Sequence, residues 1–305
     1  MAVAGVNLTL SAGEIVGLVG ESGSGKSTLA KAAMGLLPLS SGSVWFEGQE
    51  MTHLKRSGRS RDATRLQLVF QNPFSSLNPR RKIGDQVADS LSILKLVPRS
   101  QRRQRATELL EEVGIPAEAA DRYPHQYSGG QRQRIAIARV MAAEPSAIVM
   151  DEPLSALDGS AQAQIANLLL KISHDSNVGL VIVSHDLAII RQIADTVAVM
   201  YLGVVVEIAR AKDIWTAPKH PYTQALIESI PRVDGSGVLP KSLSGEIPDP
   251  ANPPTGCRFH PRCPYAFDQC AKEVPPLVQV GPNRLAACWL PLAAESKTPR
   301  LPLHS

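Results

Sequence analysis

Eight consecutive residues, GESGSGKS from Gly20 to Ser27, fit the pattern G-x-x-x-x-G-K-[ST]. They follow the strand-like EIVGLV and precede the helix-like KSTLAKAAMGLL, which is the context such a loop requires. The chemistry is phosphate binding. Gly20, Gly23 and Gly25 let the backbone wrap tightly, so that successive N–H groups converge on phosphate oxygens. A helix starting at Lys26 aims its positive dipole end at the same place. Lys26 adds a point charge on the outer phosphates, and the Ser27 hydroxyl is a magnesium ligand. The binding set read from this loop is Gly20, Glu21, Ser22, Gly23, Ser24, Gly25, Lys26, Ser27 and Thr28.

A second motif supplies acids. AIVMDE places four apolar residues before Asp151 and Glu152. A buried strand ending in two carboxylates is costly unless something charged receives them. Asp151 suits a direct or water-mediated magnesium contact. Glu152 suits polarising a water for attack on a γ-phosphate, help of a kind worth about 10²–10⁴-fold in rate. Downstream, GLVIVSH ends in His185, which could orient that water or touch the γ-phosphate.

These groups need a scaffold, and the first 225 or so residues read as an α/β domain with a largely parallel sheet. Candidate strands are Glu14–Val19, Leu66–Val69, Ala147–Met150, Leu180–Val183 and Thr196–Leu202. Candidate helices begin near Lys26, Arg102, Gly129, Ser160 and Leu187. The segment from about Phe74 to Arg139 is mostly helical in pattern and inserted between two core strands. Of 24 prolines, 13 fall between Leu239 and Ser305, and so do all four cysteines. After Ile230 the chain is too rich in proline for long helices or central strands. The resulting division is 1–225 for the α/β part, with a helical subdomain at about 75–140, and 226–305 for an extension.

Composition narrows the classes. The chain has 305 residues, 44% hydrophobic and 20% charged, so a buried core is attainable and wholesale disorder is excluded. A net charge of +4 is too weak to argue for nucleic acid. No uncharged apolar run reaches the roughly 18 residues of a membrane span. The tract around 196–206 is cut by Glu207. The N-terminal residues MAVAGVNLTLSAGE show neither a basic nor a long apolar region of a secretory signal. The expected setting is the cytosol, where four cysteines are poor disulfide candidates.

YSGGQRQRIAIARVMAAEP, Tyr127 to Pro145, resembles the signature of ABC-type ATPases and lies just ahead of AIVMDEP, as in that family. Phosphate loop, Gln71, signature, acidic strand, SALD (Ser155 to Asp158) and His185 follow in the family's order. The resemblance covers residues 1 to about 225. It implies a P-loop, RecA-like ABC ATPase domain with an inserted helical subdomain and a small proline- and cysteine-rich C-terminal extension. It also implies a head-to-tail dimer with two ATP molecules, each sandwiched between the phosphate loop of one subunit and the signature of the other. Glu152, His185 and Gln71 are then the catalytic residues. Gln71 also joins Ser27 and Asp151 at magnesium, and Ser128, Gly129, Gly130, Gln131 and Asp158 act on ATP in trans. Backbone N–H groups and a hydroxyl at a helix start suit that task.

QNPFSSLNP resembles the ATP-binding subunits of oligopeptide and dipeptide permeases, a branch shared with nickel uptake systems. Phe74, Leu77 and Pro79 would dock or pack where a membrane subunit engages. KHPYTQALIESIP, Lys219 to Pro231, and PTGCRFHPRCPYAFDQC, ending at Cys270, resemble that branch's C-terminal region. The implied partners are two membrane-spanning permease subunits, a second and paralogous ATPase, and indirectly an extracytoplasmic solute-binding protein. No nucleic acid is implied. The implied location is peripheral, on the cytoplasmic face of the inner membrane. A non-transport ABC ATPase would bring a coiled-coil insert or tandem units, and a non-hydrolysing binding module would lack Glu152 or His185.

One departure stands out. The family has an aromatic residue about two dozen positions before the phosphate loop, stacked on adenine. Here 19 residues precede Gly20, with no aromatic among them, and the first antiparallel strand of the family is missing. Base stacking on an aromatic ring is worth about 1–3 kcal/mol, so weaker ATP binding is expected.

Cys257, Cys263, Cys270 and Cys288 are spaced C-x5-C-x6-C-x17-C, wider than the pairs of zinc fingers or common ferredoxins. Four thiols in so short a segment still point to one soft-metal site. The permease resemblance favours a [4Fe–4S] cluster, with zinc or free thiols as the alternatives. His220 and His260, each beside a proline, read as turn residues hydrogen-bonded to backbone.

Overall fold

The computed structural model describes residues 2–51, 53, 62–71, 76–155, 157–230 and 245–291. Its centre is one sheet. The spatial order is β4 (Leu66–Val69), β5 (Ala147–Asp151), β6 (Gly179–Ser184), β1 (Ile15–Val19), β7 (Thr196–Tyr201), β8 (Val204–Arg210), β10 (Arg284–Ala286) and β9 (Val278–Gly281). The first five run parallel. The last three join antiparallel. A separate hairpin pairs β2 (Trp45–Phe46) with β3 (Gln49–Glu50).

Parallel strands covered on both faces read as unbroken apolar runs, and every residue of β1 and β5 is buried. Alternation sorts them between two layers. Ile15, Val19, Ile148 and Met150 face the larger core, while Leu18 and Val149 face the smaller one. Helix α1 (Lys26–Ala33) covers the smaller side through Ala30. Helices α5 (Gly159–Ser176) and α6 (Leu187–Ile193) cover the other through Ile165, Leu169, Ile190 and Ile193.

Between β4 and β5 lie α2 (Ile83–Ile93), α3 (Arg102–Glu112) and α4 (Gly129–Met141). Ile83, Val87 and Leu91 recur every four residues, forming the apolar stripe of α2 that joins Leu109, Leu110 and Ile135 in the core. The helical insert expected from sequence is thus present in its described part. Leu77 is buried within it, whereas Phe74 lies outside the described residues.

The strand expected to run through Leu202 instead reverses there. Leu202 and Gly203 have φ of 43° and 84°, the paired positive values of a tight hairpin, and β8 returns along β7. Glu207, which interrupts the apolar run in the sequence, is fully buried in β8. Its carboxylate accepts from the N–H groups of Lys219 (2.8 Å) and His220 (2.9 Å) and from Arg284 Nη2 (3.1 Å). One residue therefore ties together β8, β10 and the segment between α7 (Ala211–Thr216) and α8 (Pro221–Glu228). Beyond it the described residues form only short pieces, such as α9 (Asp268–Lys272) and the strands β9 and β10. Among the described residues no helix is long and apolar enough to cross a membrane.

Candidate nucleotide site

The loop between β1 and α1 is wrapped around its own lysine. Lys26 is 5% exposed, and its Nζ donates to Gly20 O (2.7 Å), Glu21 O (2.9 Å) and Ser24 Oγ (3.3 Å). Burial pulls its pKa below the ordinary lysine value, opposed by the charges of Glu152, Asp151 and Glu21. Gly20 has φ 153°, and a Cβ there would sit 2.1 Å from the Met200 carbonyl oxygen. Gly25, with φ 98°, is the residue from which α1 springs.

Ser27 Oγ donates to Asp151 Oδ1 at 2.7 Å, so the hydroxyl and carboxylate expected at magnesium are already neighbours. Hard oxygen donors of this kind suit that ion. Glu152 adjoins them with φ 49°, a left-handed conformation rare outside glycine, and its N–H donates to Val183 O at 3.0 Å. Gln71 Nε2 donates to Glu152 Oε2 at 2.8 Å, and His185 Nδ1 lies 3.2 Å from Glu152 Oε1. The three residues follow β4, β5 and β6, so they meet at the carboxyl ends of adjacent parallel strands, where open α/β sheets hold ligands. Gln71 bonds the glutamate rather than the Ser27–Asp151 pair.

Ser128, Gly129, Gly130, Gln131 and Asp158 form a second group. Ser128 and Gln131 make a reciprocal capping box on α4, with Gln131 N–H to Ser128 Oγ at 3.3 Å and Ser128 N–H to Gln131 Oε1 at 3.0 Å. Asp158 caps α5 through Ala161 N–H at 2.9 Å. Gly130 lies where a Cβ would come 3.0 Å from that of Ala161, so the two helix starts sit side by side around an open pocket with Arg134 and Gln164. None of these hydrogen bonds reaches the phosphate loop.

The geometry of a phosphate loop, an acid pair and two capped helix starts can be compared with known proteins. Residues 3–155 match the family model described as ABC transporter. The chain belongs to the ABC transporter ATP-binding family. A second model, the oligopeptide/dipeptide transporter C-terminal region, matches residues 206–270 of this ABC protein. A probable peptide ABC transporter ATP-binding protein of Sinorhizobium fredii is 46% identical over 98% of the chain and 85% of its own length. A di/tripeptide transport ATP-binding protein of Pseudomonas aeruginosa is 45% identical over 94% of the chain and 89% of its own. An oligopeptide transport ATP-binding protein of Bacillus subtilis is 41% identical over 95% and 89%. Among solved structures, CbiO1 of Clostridium perfringens, part of the ABC transporter complex CbiONQ, superposes with a TM-score of 0.64 at 29% identity, covering 71% of this chain and 84% of that one. An ATP-binding cassette solved as a dimer after hydrolysis, with ADP and Pi, gives 0.60 at 29%, covering 69% and 90%. This ABC protein is an ATPase of the ABC type.

The contacts of Glu21 in the ABC protein have no warning in the sequence. Glu21 was grouped with the phosphate contacts, yet its N–H donates to Tyr222 Oη at 2.9 Å and its carboxylate takes a fork from Arg262, at 2.8 and 3.1 Å. Both partners come from beyond β8. His220 Nδ1 accepts from Tyr222 N–H at 3.0 Å, and His260 Nδ1 lies 2.9 Å from Cys257 O, so both histidines serve backbone turns as expected. The four cysteines are free and line one small cavity with His220, Phe259 and Trp289. Burial pushes the thiols of Cys257 and Cys263 up, and that of Cys288 up to about 11. Among the described residues no three or more His, Cys, Asp or Glu side chains form a group able to hold a metal. The expected soft-metal site is therefore a shared cavity and not a formed coordination sphere.

Proposed function

We propose that the chain is the energy-coupling ATPase subunit of a membrane importer for dipeptides or oligopeptides. The observation that carries this reading is similarity to peptide-transport ATP-binding proteins along nearly the whole chain, in a protein that keeps Gln71, Glu152 and His185 together. Lys26 and the loop amides from Gly20 to Thr28 hold the triphosphate, with Gln71 beside it. Ser27, Asp151 and Gln71 would hold Mg²⁺, which would neutralise charge on the phosphate oxygens. Glu152 takes a proton from the attacking water while His185 and Gln71 orient glutamate and water. Ser128, Gly129, Gly130, Gln131 and Asp158 close on the nucleotide of a neighbouring ATPase, which is a paralogue. ATP binds the closed pair better than the open one, so it shifts the population toward closure, and two permease subunits follow. The solute-binding protein acts through those subunits. The complex sits at the cytoplasmic face of the inner membrane.

The residue division at 225, with a helical subdomain at 75–140 and an extension at 226–305, belongs to this reading. So does a [4Fe–4S] cluster, or zinc, held by Cys257, Cys263, Cys270 and Cys288. Its support is that all four soft donors line one small cavity. Iron and zinc analysis with an absorption spectrum of anaerobically purified protein tests it, and metal-free protein that keeps its fold ends it.

The hydrolysis test is Glu152→Gln in the complete transporter. Turnover should fall by about 10²-fold or more while ATP stays bound. Undiminished turnover overturns the assignment of the base. Stimulation by a nickel complex and not by di- or tripeptides would move the cargo to the nickel systems of the same branch.

A further inference from the structure

The phosphate loop of this chain is braced from behind by the cysteine-rich segment. Arg262 ends a short turn, His260–Arg262, whose next residue is Cys263. Its side chain is 3% exposed, and its guanidinium forks onto both carboxylate oxygens of Glu21, at 2.8 and 3.1 Å. The same Nη1 lies 3.4 Å from Tyr201 Oη at the end of β7. Tyr222 Oη takes the Glu21 N–H, and Tyr201, Tyr222 and Phe259 pack at tilted and edge-to-face angles with centroids 4.6 to 5.3 Å apart. Phe259 and Cys263 in turn line the four-thiol cavity. A second arginine of the segment, Arg258, donates to Leu202 O in the hairpin, and Gly203 N–H donates to Ser24 O of the loop at 2.8 Å.

This arrangement solves an electrostatic problem. Glu21 sits inside a loop built to gather phosphate charge, and an unpaired carboxylate there opposes a triphosphate. A rigid bidentate partner cancels that charge and fixes where it points, which a lysine cannot do as well. We propose that Arg262 is a positioning residue for nucleotide binding: by neutralising and anchoring Glu21 it makes the cysteine-rich segment a brace of the phosphate loop. The inference rests on the reading of that loop as the ATP site. Its consequence is reciprocal. Anything that loosens the turn between Cys257 and Cys263 weakens ATP binding, and bound ATP stiffens that turn.

The test measures affinity for a non-hydrolysable ATP analogue on the full chain, with thermal unfolding of the nucleotide-free protein alongside. Arg262→Ala should weaken binding by about tenfold, a usual size for coupling between sites. Arg262→Lys should fall between that and wild type. Removing the orphaned charge decides the mechanism: adding Glu21→Gln to Arg262→Ala should restore most of the lost affinity, because an unpaired, partly buried carboxylate costs more than a missing pair. A structural role alone predicts no such rescue. Wild-type affinity in Arg262→Ala, or a double variant no better than the single one, overturns the proposal. If Arg262→Ala does not fold, an Arg262→Lys chain that binds like wild type overturns it equally. A wild-type chain that binds no analogue overturns the ATP reading itself, and this inference with it.

Discussion

His220 shows how a single side chain can store a pH response. Only 1% exposed, it spends Nδ1 on the Tyr222 N–H, and its Nε2 is buried with no partner among the described residues. Burial pulls its pKa from 6.5 down to about 3. The folded chain therefore refuses a proton that the unfolded chain accepts. Stability from this group is fully present above the unfolded value of 6.5 and is lost as pH falls toward about 3. Over two pH units that amounts to roughly 2–3 kcal/mol. Asparagine can accept the same cap bond without titrating. In His220→Asn the loss of stability between about pH 7 and pH 4.5, followed by urea unfolding, should be smaller than in wild type by about that amount. Equal losses would place the proton sensitivity elsewhere. Legibility at this scale follows sequence distance. Lys26, its glycines and Asp151–Glu152 could be read because each motif is contiguous and chemically costly without a ligand. The Glu21–Arg262 fork joins residues 241 apart, and no local pattern announces it.

At the scale of elements, the parallel strands and their helices were legible because burial on both faces leaves unbroken apolar runs between amphipathic ones. Strand β8 was not, since its one carboxylate reads as an end to an apolar tract. In the fold that carboxylate is the fastener. Glu207 sits fully buried on β8, holding Arg284 of β10 and two N–H groups ahead of α8. Its removal leaves two amides without their acceptor and strips the buried Arg284 guanidinium of its counter-charge, with the carbonyls of Asp213 and Ala217 as its remaining partners. Glu207→Ala should destabilise the chain by about 3–5 kcal/mol in denaturant unfolding. The loss should appear as earlier proteolysis of the segment after β8, ahead of the parallel strands. A change under about 0.5 kcal/mol, the size of an ordinary surface substitution, would show that the edge strands hold without it. Strands β9 and β10, just ahead of Cys288, share this fastener, because β10 pairs with β8 and β9 with β10.

At the scale of the whole molecule, the two groups of site residues have complementary shapes of incompleteness. The loop around Lys26 gathers donors on one side of a phosphate chain, and its Glu152 cluster lies at the strand ends. The capped starts of α4 and α5 offer amides and hydroxyls in an open pocket with nothing of the first group within their hydrogen bonds. On the proposed function each group is completed by the other group of a facing subunit; the ATP-binding cassette on which this chain superposes was itself solved as a dimer. If the partner is a paralogue, the two halves can be told apart by which polypeptide is marked. Photolabelling the assembled transporter with an azido-ATP after trapping should mark both ATPases. Lys26→Ala in this chain should abolish the mark on this chain and spare its neighbour. Ser128→Arg should do the reverse, because it blocks the donor surface that closes on the neighbour's nucleotide while leaving this chain's own loop intact. Were both substitutions to strip label from the same polypeptide, each site would be complete within one subunit, and closure of a pair could not be the step that moves the membrane subunits.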